Sequence, residues 1–407
     1  MPVTTPPEPL WLARVPRARR AAFPALRGEV RAEVAVVGGG AAGCFAAYVL
    51  ANAGCRVVLL EADGVGQGAT ARADGVLVPG PGPGFRDLWD RFGLRAARHV
   101  WETSRRATLD LMALLRRLRI LCELAPADYL DLGLTDASRA RLDRDYQALR
   151  EAGLEASWLG PSRVRSSTGL LSAGEALKLA GGGCLDPYRA SLGVLQQAVR
   201  LGTAVFERSP VRRIRGARRG VEVATASGTV HAERVVVTSG LPAPGFTALA
   251  RHLRRTDECV VALAPLSAPH RRLFGASHGA VADAELSTRW HFARGGHLIV
   301  RKALGAPLAD RTRDALLPAH AAQVMYELSL RYHGISGLQP ARRWLVRSTT
   351  AGDGIVVAGP HRNYPRHLFA TGLGHGGLGA AYLAARVLAR AHLGAPEKGD
   401  ELFGFIR

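Results

Sequence analysis

The chain has 407 residues, 47% of them apolar and 22% charged, which is enough for a large core or two domains and excludes global disorder. Only Lys178, Lys302 and Lys398 are lysines among 54 basic residues, and the formal charge is +20; this suits nucleic acid, an anionic membrane surface or acidic substrates, although a coding bias toward arginine and alanine is the plainer source. Cys44, Cys55, Cys122, Cys184 and Cys259 lie far apart with no CxxC pair, which argues against a disulfide framework or a zinc site and for a reducing, cytoplasmic setting.

The first 30 residues lack a signal-peptide core and read as an extended lead-in. The next stretch, EVAVVGGGAAGCFAAYVLANAGCRVVLLEAD, is apolar enough over about 20 residues to resemble a membrane span. Its periodicity changes, however, from buried strand to helix to second strand, and three consecutive glycines interrupt it. Gly38, Gly40 and Gly43 fit G-x-G-x-x-G at the strand-to-helix turn. The first glycine permits a tight turn, the second close approach of a pyrophosphate, and the third close helix–strand packing. Ala41 and Ala42 open the helix, whose free N–H groups face the phosphates. Glu61, followed by Ala62, ends the second strand, where an acid accepts from a ribose diol. The segment predicts dinucleotide binding.

Farther along, PGPGPG (Pro79–Gly84) marks a junction, and Leu111, Leu114, Leu115 and Leu118 lie at helical spacing in a helix around Val100–Ile120. Val221–Gly240 reads as a hairpin and then a buried strand. Ser287–Leu304 reads as two antiparallel strands joined through Gly295-Gly296, and Leu368–Ala391 as strand, glycine-rich turn and helix.

GVGQGATARADGVLVPG (Gly64–Gly80) resembles the G-x-G-A-S-x-R-x-x-G segment of the D-amino-acid oxidase superfamily, with Thr70, Arg72 and Gly75 in register and Ala73 replacing a frequent Asn. GHGGLG (Gly374–Gly379) is similar to the GHGTLG of D-amino-acid dehydrogenases, and the lead-in resembles that of putrescine-derivative oxidases. The resemblance implies an α/β protein with α+β insertions: a discontinuous Rossmann-like FAD-binding domain (31–85, 184–240, 341–393), an antiparallel-sheet substrate domain (86–183, 241–340) and a loose tail (394–407). It implies non-covalent FAD, because no cysteine falls where some relatives attach it. Besides the first glycine turn, FAD contacts would come from Val211, Ser239, Gly240, Gly374, His375, Gly376, Gly377 and Leu378. Backbone N–H groups of the last turn would meet the flavin's pyrimidine edge.

The implied activity is oxidation of an amine or amino-acid C–N bond by hydride transfer to flavin N5, followed by imine hydrolysis, with oxygen, a quinone or a protein as acceptor. RRWLVRSTTAGDGIVVAG resembles W-x-G-x-R-P-x-T-P-D-G-x-P, and with one inserted residue Arg347 becomes the substrate-carboxylate anchor. Trp290 aligns with a substrate-side aromatic, but Trp290 and His291 alternate on a strand, so only one can face the flavin. His375 joins them as a candidate catalytic or flavin-contacting group, and Arg301 replaces a common Gly, hinting at a more polar, acidic substrate. Two alternatives stay open: a tRNA-modifying flavoprotein of the same fold, and a flavin-binding protein without turnover. Nucleic acid is disfavoured because the basic residues lack interleaved aromatics; peripheral contact with an anionic membrane remains compatible with the charge.

Overall fold

The computed structural model describes residues 8–171, 174–217, 220–240, 246–276 and 279–407, except for the side chains of Ala217, Thr247, Ala248 and His375. A six-stranded sheet runs in the order Val357–His361, Tyr364–Thr371, Arg234–Gly240, Val34–Val37, Val57–Leu60, Ala204–Phe206. All its pairings are parallel except that of Val357–His361 with Tyr364–Thr371. Both faces are covered, so the strands read as unbroken apolar runs. Val34, Val36, Val57 and Leu59 pack beneath a helical layer, whereas Ala35, Val37, Val58 and Leu60 pack against Val221, Val223 and Val230. The helices are Ala41–Asn52, Leu94–Arg117, Pro187–Arg200 and Gly377–Leu393. The apolar stretch after the first strand is thus a 12-residue helix, and among the described residues no helix is long and apolar enough to cross a membrane.

A four-stranded sheet, Gly28–Arg31, Gly228–Ala232, Gly220–Ala224 and Arg213–Ala217, caps the other side. A nine-stranded sheet holds most of the inserted chain, including Leu253–Pro265, Thr288–Ala293 and His297–Ala303. Its two faces follow strand alternation. Cys259, Val261, Trp290, Leu298 and Val300 pack against the helix Arg313–Arg331. Val260, Ala262, Ile299, Trp344 and Val346 turn toward Leu10, Trp11 and Tyr188.

Three stretches bear on the expected divisions of the chain. Arg342–Ala351, assigned by sequence to the FAD-binding portion, pairs along its full length with Leu253–Ala262 and edges the nine-stranded sheet. The lead-in is anchored: Trp11 is 1% exposed and its indole N–H donates to Ala73 O at 2.7 Å. The C-terminal tail is anchored too, because Phe403 is buried and Arg407 pairs with Asp353 at 2.6 Å.

Candidate active site

The N-terminal glycine turn is shaped by steric need. Gly38 has φ +107°, and a Cβ there would meet Thr238 at 3.0 Å; a Cβ on Gly43 would sit 1.8 Å from Gly38 O. At Gly40, by contrast, the nearest atom to such a Cβ is Thr70 Oγ1 at 3.4 Å, and the position opens on a cavity. Ala41 N–H donates to Thr70 Oγ1 at 2.9 Å, while the N–H groups of Ala42 and Gly43, in the helix's first turn, have no carbonyl above them. Glu61 accepts Gly39 N–H at 2.6 Å and Asp63 N–H at 2.9 Å.

The cavity, of about 370 Å³, runs from this turn to the C-terminal one: Gly38, Gly40, Ala41, Ala42, Glu61, Thr70 and Gly75 share its lining with Ser239, Gly240, Gly374, Gly377 and Leu378. Residues expected from three distant stretches of chain therefore meet. Gly374 (φ +42°) and Gly377 (φ +54°) bracket a single 3₁₀ turn leading into the last helix. An elongated dinucleotide fits this arrangement: a glycine turn without side chains and a helix N-terminus for phosphates, an acid for a ribose, and a second backbone turn at the far end.

The other expected contacts lie elsewhere. Gly43 acts in helix–strand packing. Ala62 is exposed, and Val211 packs on the four-stranded sheet side. Arg72 is turned back on its own loop, donating to Gln67 O and Gly68 O, while its carbonyl accepts the Trp344 indole N–H at 2.8 Å. Gly376 is buried in the turn, and the side chain of His375 lies outside the described residues.

The nine-stranded sheet forms the remaining wall, and the residues expected to be catalytic lie along it or behind it. Trp290 points to the opposite face, packed edge-on against Tyr332 at 5.9 Å. His291 is on the cavity side of the sheet but lies behind Asp74, with Nε2 2.7 Å from Asp74 O. Burial lowers its pKa, yet Cys184 and Asp74 raise it to about 9. Arg347 borders the cavity, but its fork is occupied: Nε and Nη2 donate to Asp257 at 3.0 and 2.8 Å, Nη2 to Leu308 O, and Nη1 pairs with Asp310. The reason is strand alternation. Arg347 follows Leu345 onto the helix-covered face, and Trp344, Val346 and Ser348 take the cavity face. Counted back from Asp353-Gly354 without an insertion, the anchor position of the sequence pattern falls on Ser348, which shares a 2.9 Å contact with Thr256 Oγ1.

Besides Arg347, the described cavity wall contains Arg289 and Arg301, cross-strand partners in register. Arg289 Nε donates to Asp74 Oδ2 at 2.8 Å, and Arg301 Nε to Glu258 Oε2 at 2.6 Å. All four are at most 9% exposed. Burial would raise the pKa of Asp74, but Arg289, Arg301 and His291 outweigh it and hold the carboxyl at about 2. Sequence reading singled out Arg301 alone. Asp74 and Glu258 carried no motif, and Arg289 was legible only through the hairpin around Gly295-Gly296, whose register places it opposite Arg301.

Residues 33–391 match the family model described as DAO, FAD dependent oxidoreductase. The chain is 26% identical over 224 residues to the probable oxidoreductase OrdL of Rhizobium meliloti, covering 54% of this chain and 51% of that protein. It is 30% identical over 219 residues to gamma-glutamylputrescine oxidoreductase of Escherichia coli, covering 53% and 51%. The matched stretch thus spans about half the length of these curated relatives. Glycine oxidase from Geobacillus kaustophilus has the same fold, with a TM-score of 0.75 at 21% identity over 93% of this chain and 99% of that one. With its cavity joining two glycine turns and its match to the family over residues 33–391, the chain belongs to the FAD-dependent oxidoreductases of the DAO family.

Proposed function

We propose that the protein oxidises the C–N bond of an amine or amino acid. The observation that carries this reading is the single cavity in which a dinucleotide cradle, a second glycine turn and a wall of buried charge meet. When bound, non-covalent FAD supplies the hydride acceptor, and the imine product is then hydrolysed. None of the cysteines is among the described residues lining the cavity, which favours non-covalent attachment.

The chain supplies binding, orientation and a dry environment. The first turn and Glu61 hold the nucleotide end, and the turn at Gly374–Leu378 presents backbone N–H groups and a helix N-terminus to the opposite end. The sheet wall sets Arg289, Arg301, Asp74 and Glu258 where a polar substrate is oriented by charge rather than by shape alone. Low exposure of all four strengthens each interaction relative to water.

The test is anaerobic mixing of FAD-loaded protein with D- and L-amino acids, glycine, sarcosine, proline and polyamine derivatives. Bleaching of the flavin band by at least one is expected. A flavin left oxidised by every member would refute the reading.

A further inference from the structure

We propose that a second cavity, closed at its deep end by His291, is a separate binding site for a small organic carboxylate with an apolar body. The site is independent of the amine or amino-acid reading above.

This cavity, of about 750 Å³, shares no described lining residue with the one that joins the two glycine turns. Trp11, Ile120, Leu185 and Phe292 give it apolar walls. His291 and Cys184, at most 3% exposed, lie at its deep end, and Arg116 and Arg294 stand exposed at its mouth.

The imidazole of His291 is placed between the two cavities. Nε2 contacts Asp74 O at 2.7 Å, on the flavin side. Nδ1 is buried and has no hydrogen-bond partner; Cys184 flanks the ring without hydrogen-bonding geometry. Burial lowers the imidazole pKa, but Cys184 and Asp74 raise it to about 9, so at neutral pH both ring nitrogens carry protons. A buried cationic donor without an acceptor is costly, and an incoming carboxylate oxygen removes that cost. The ligand would then sit one residue away from the flavin wall, because the same ring braces Asp74, which holds Arg289.

The charges around the cavity set the sign of the ligand. Glu123 is already engaged by Arg14 through two bonds of 2.8 Å and by Arg189 at 3.7 Å, and Asp186 by Arg189 at 3.5 Å. Among the described residues no acid pairs with Arg116 or Arg294. Burial raises the Cys122 thiol to about 11 and keeps it neutral. With Cys184 counted as a thiolate, the cations Arg14, Arg116, Arg189, Arg294 and His291 still exceed the anions, so the cavity favours an anion over an amine. Guanidinium and imidazolium donors match a carboxylate, and the apolar walls favour an organic acid over an inorganic ion.

The experiment is calorimetric titration of the FAD-loaded protein with 4-methylpentanoate and its neutral isostere 4-methylpentanamide; neither is an amine, so the flavin stays oxidised. The wild-type protein is expected to bind the carboxylate at least about tenfold more tightly than the amide. His291→Gln, which can keep an N–H on Asp74 O but carries no charge, should abolish that preference. Arg116→Gln/Arg294→Gln, altered only at exposed side chains outside the flavin cavity, should weaken carboxylate binding about threefold or more and leave amide binding unchanged. This second variant decides the matter if His291→Gln does not fold. A wild type that binds neither probe, or both equally, overturns the proposal. So does a preference that survives in folded His291→Gln, or a carboxylate affinity indifferent to the arginine pair, since either places the anion elsewhere. Bleaching of the flavin by amines or amino acids is measured separately, so the functional reading stands or falls on its own.

Discussion

Replacing Gly43 by alanine separates the two tasks of the first glycine turn. Its new Cβ would lie 1.8 Å from the carbonyl oxygen of Gly38, roughly 1.5 Å inside ordinary contact. Both atoms belong to or branch from backbone, so the helix Ala41–Asn52 must move away from its strand in a close-packed layer. Overpacking typically costs about 1–3 kcal/mol, and a backbone partner places this case at the upper end. With an unfolding entropy of about 2.1 cal/mol/K per residue, about 3 kcal/mol over the 407 residues corresponds to a fall in Tm of roughly 3–4 °C. Gly40→Ala is the control. Its φ is −74°, and its Cβ meets nothing closer than 3.4 Å, so the apoprotein should melt within about 1 °C of wild type, whereas FAD affinity falls at least about tenfold because the methyl group projects where the phosphates belong. Calorimetric melting of apoprotein and FAD titration by fluorescence quenching measure the two effects. A Gly43→Ala protein that melts like wild type, or a Gly40→Ala protein that binds FAD like wild type, would refute the reasoning.

Arg347→Ala removes both bonds to Asp257, whose side chain is fully buried, and leaves it Leu308 N–H at 2.7 Å and Arg313 at 3.4 Å; stability should fall by about 2–3 kcal/mol while KM changes less than about threefold. A tenfold rise in KM without loss of stability would restore Arg347 as the substrate anchor. Burial pushes the Asp186 carboxyl up to about 6 even as it caps the helix Pro187–Arg200 by accepting Arg189 N–H. A raised carboxyl contributes stability below the ordinary range near 4 and loses it as pH rises through 6. Asp186→Asn keeps the cap acceptor, so its Tm relative to wild type should climb between pH 4 and 7, by the equivalent of about 2–3 kcal/mol; a pH-independent difference would refute the assignment.

Local chemistry made much of the fold legible in advance. The strands at Val34 and Val57 are buried on both faces, so they announce themselves as apolar runs, and the glycines at 38, 40 and 43 sit where any Cβ would collide with backbone or fill the cavity. The hairpin through Gly295-Gly296 followed from turn chemistry. The sheet-derived part of the site was less legible, because its partners are set by pairing between strands far apart in sequence. Glu258 meets Arg301 only after Leu253–Pro265 pairs with His297–Ala303. Whether Arg347 or Ser348 takes the cavity face turns on one residue of register, and in a strand a one-residue shift exchanges one face for the other. The anchoring of the extended lead-in was not legible, because its single buried indole finds its acceptor 62 residues away.

The carbonyls of Arg72 and Ala73, beside the cavity, are gripped by two indoles: Trp11 from the start of the chain and Trp344 from near its end. A ribosome delivers the first long before the second, and the turn at Gly374–Leu378 emerges later still. While the polypeptide is being made, the early glycine turn therefore lacks the walls that would retain a coenzyme. Capture of the flavin therefore waits until the turn at Gly374–Leu378 has been made, and chains interrupted before residue 378 should leave the ribosome colourless.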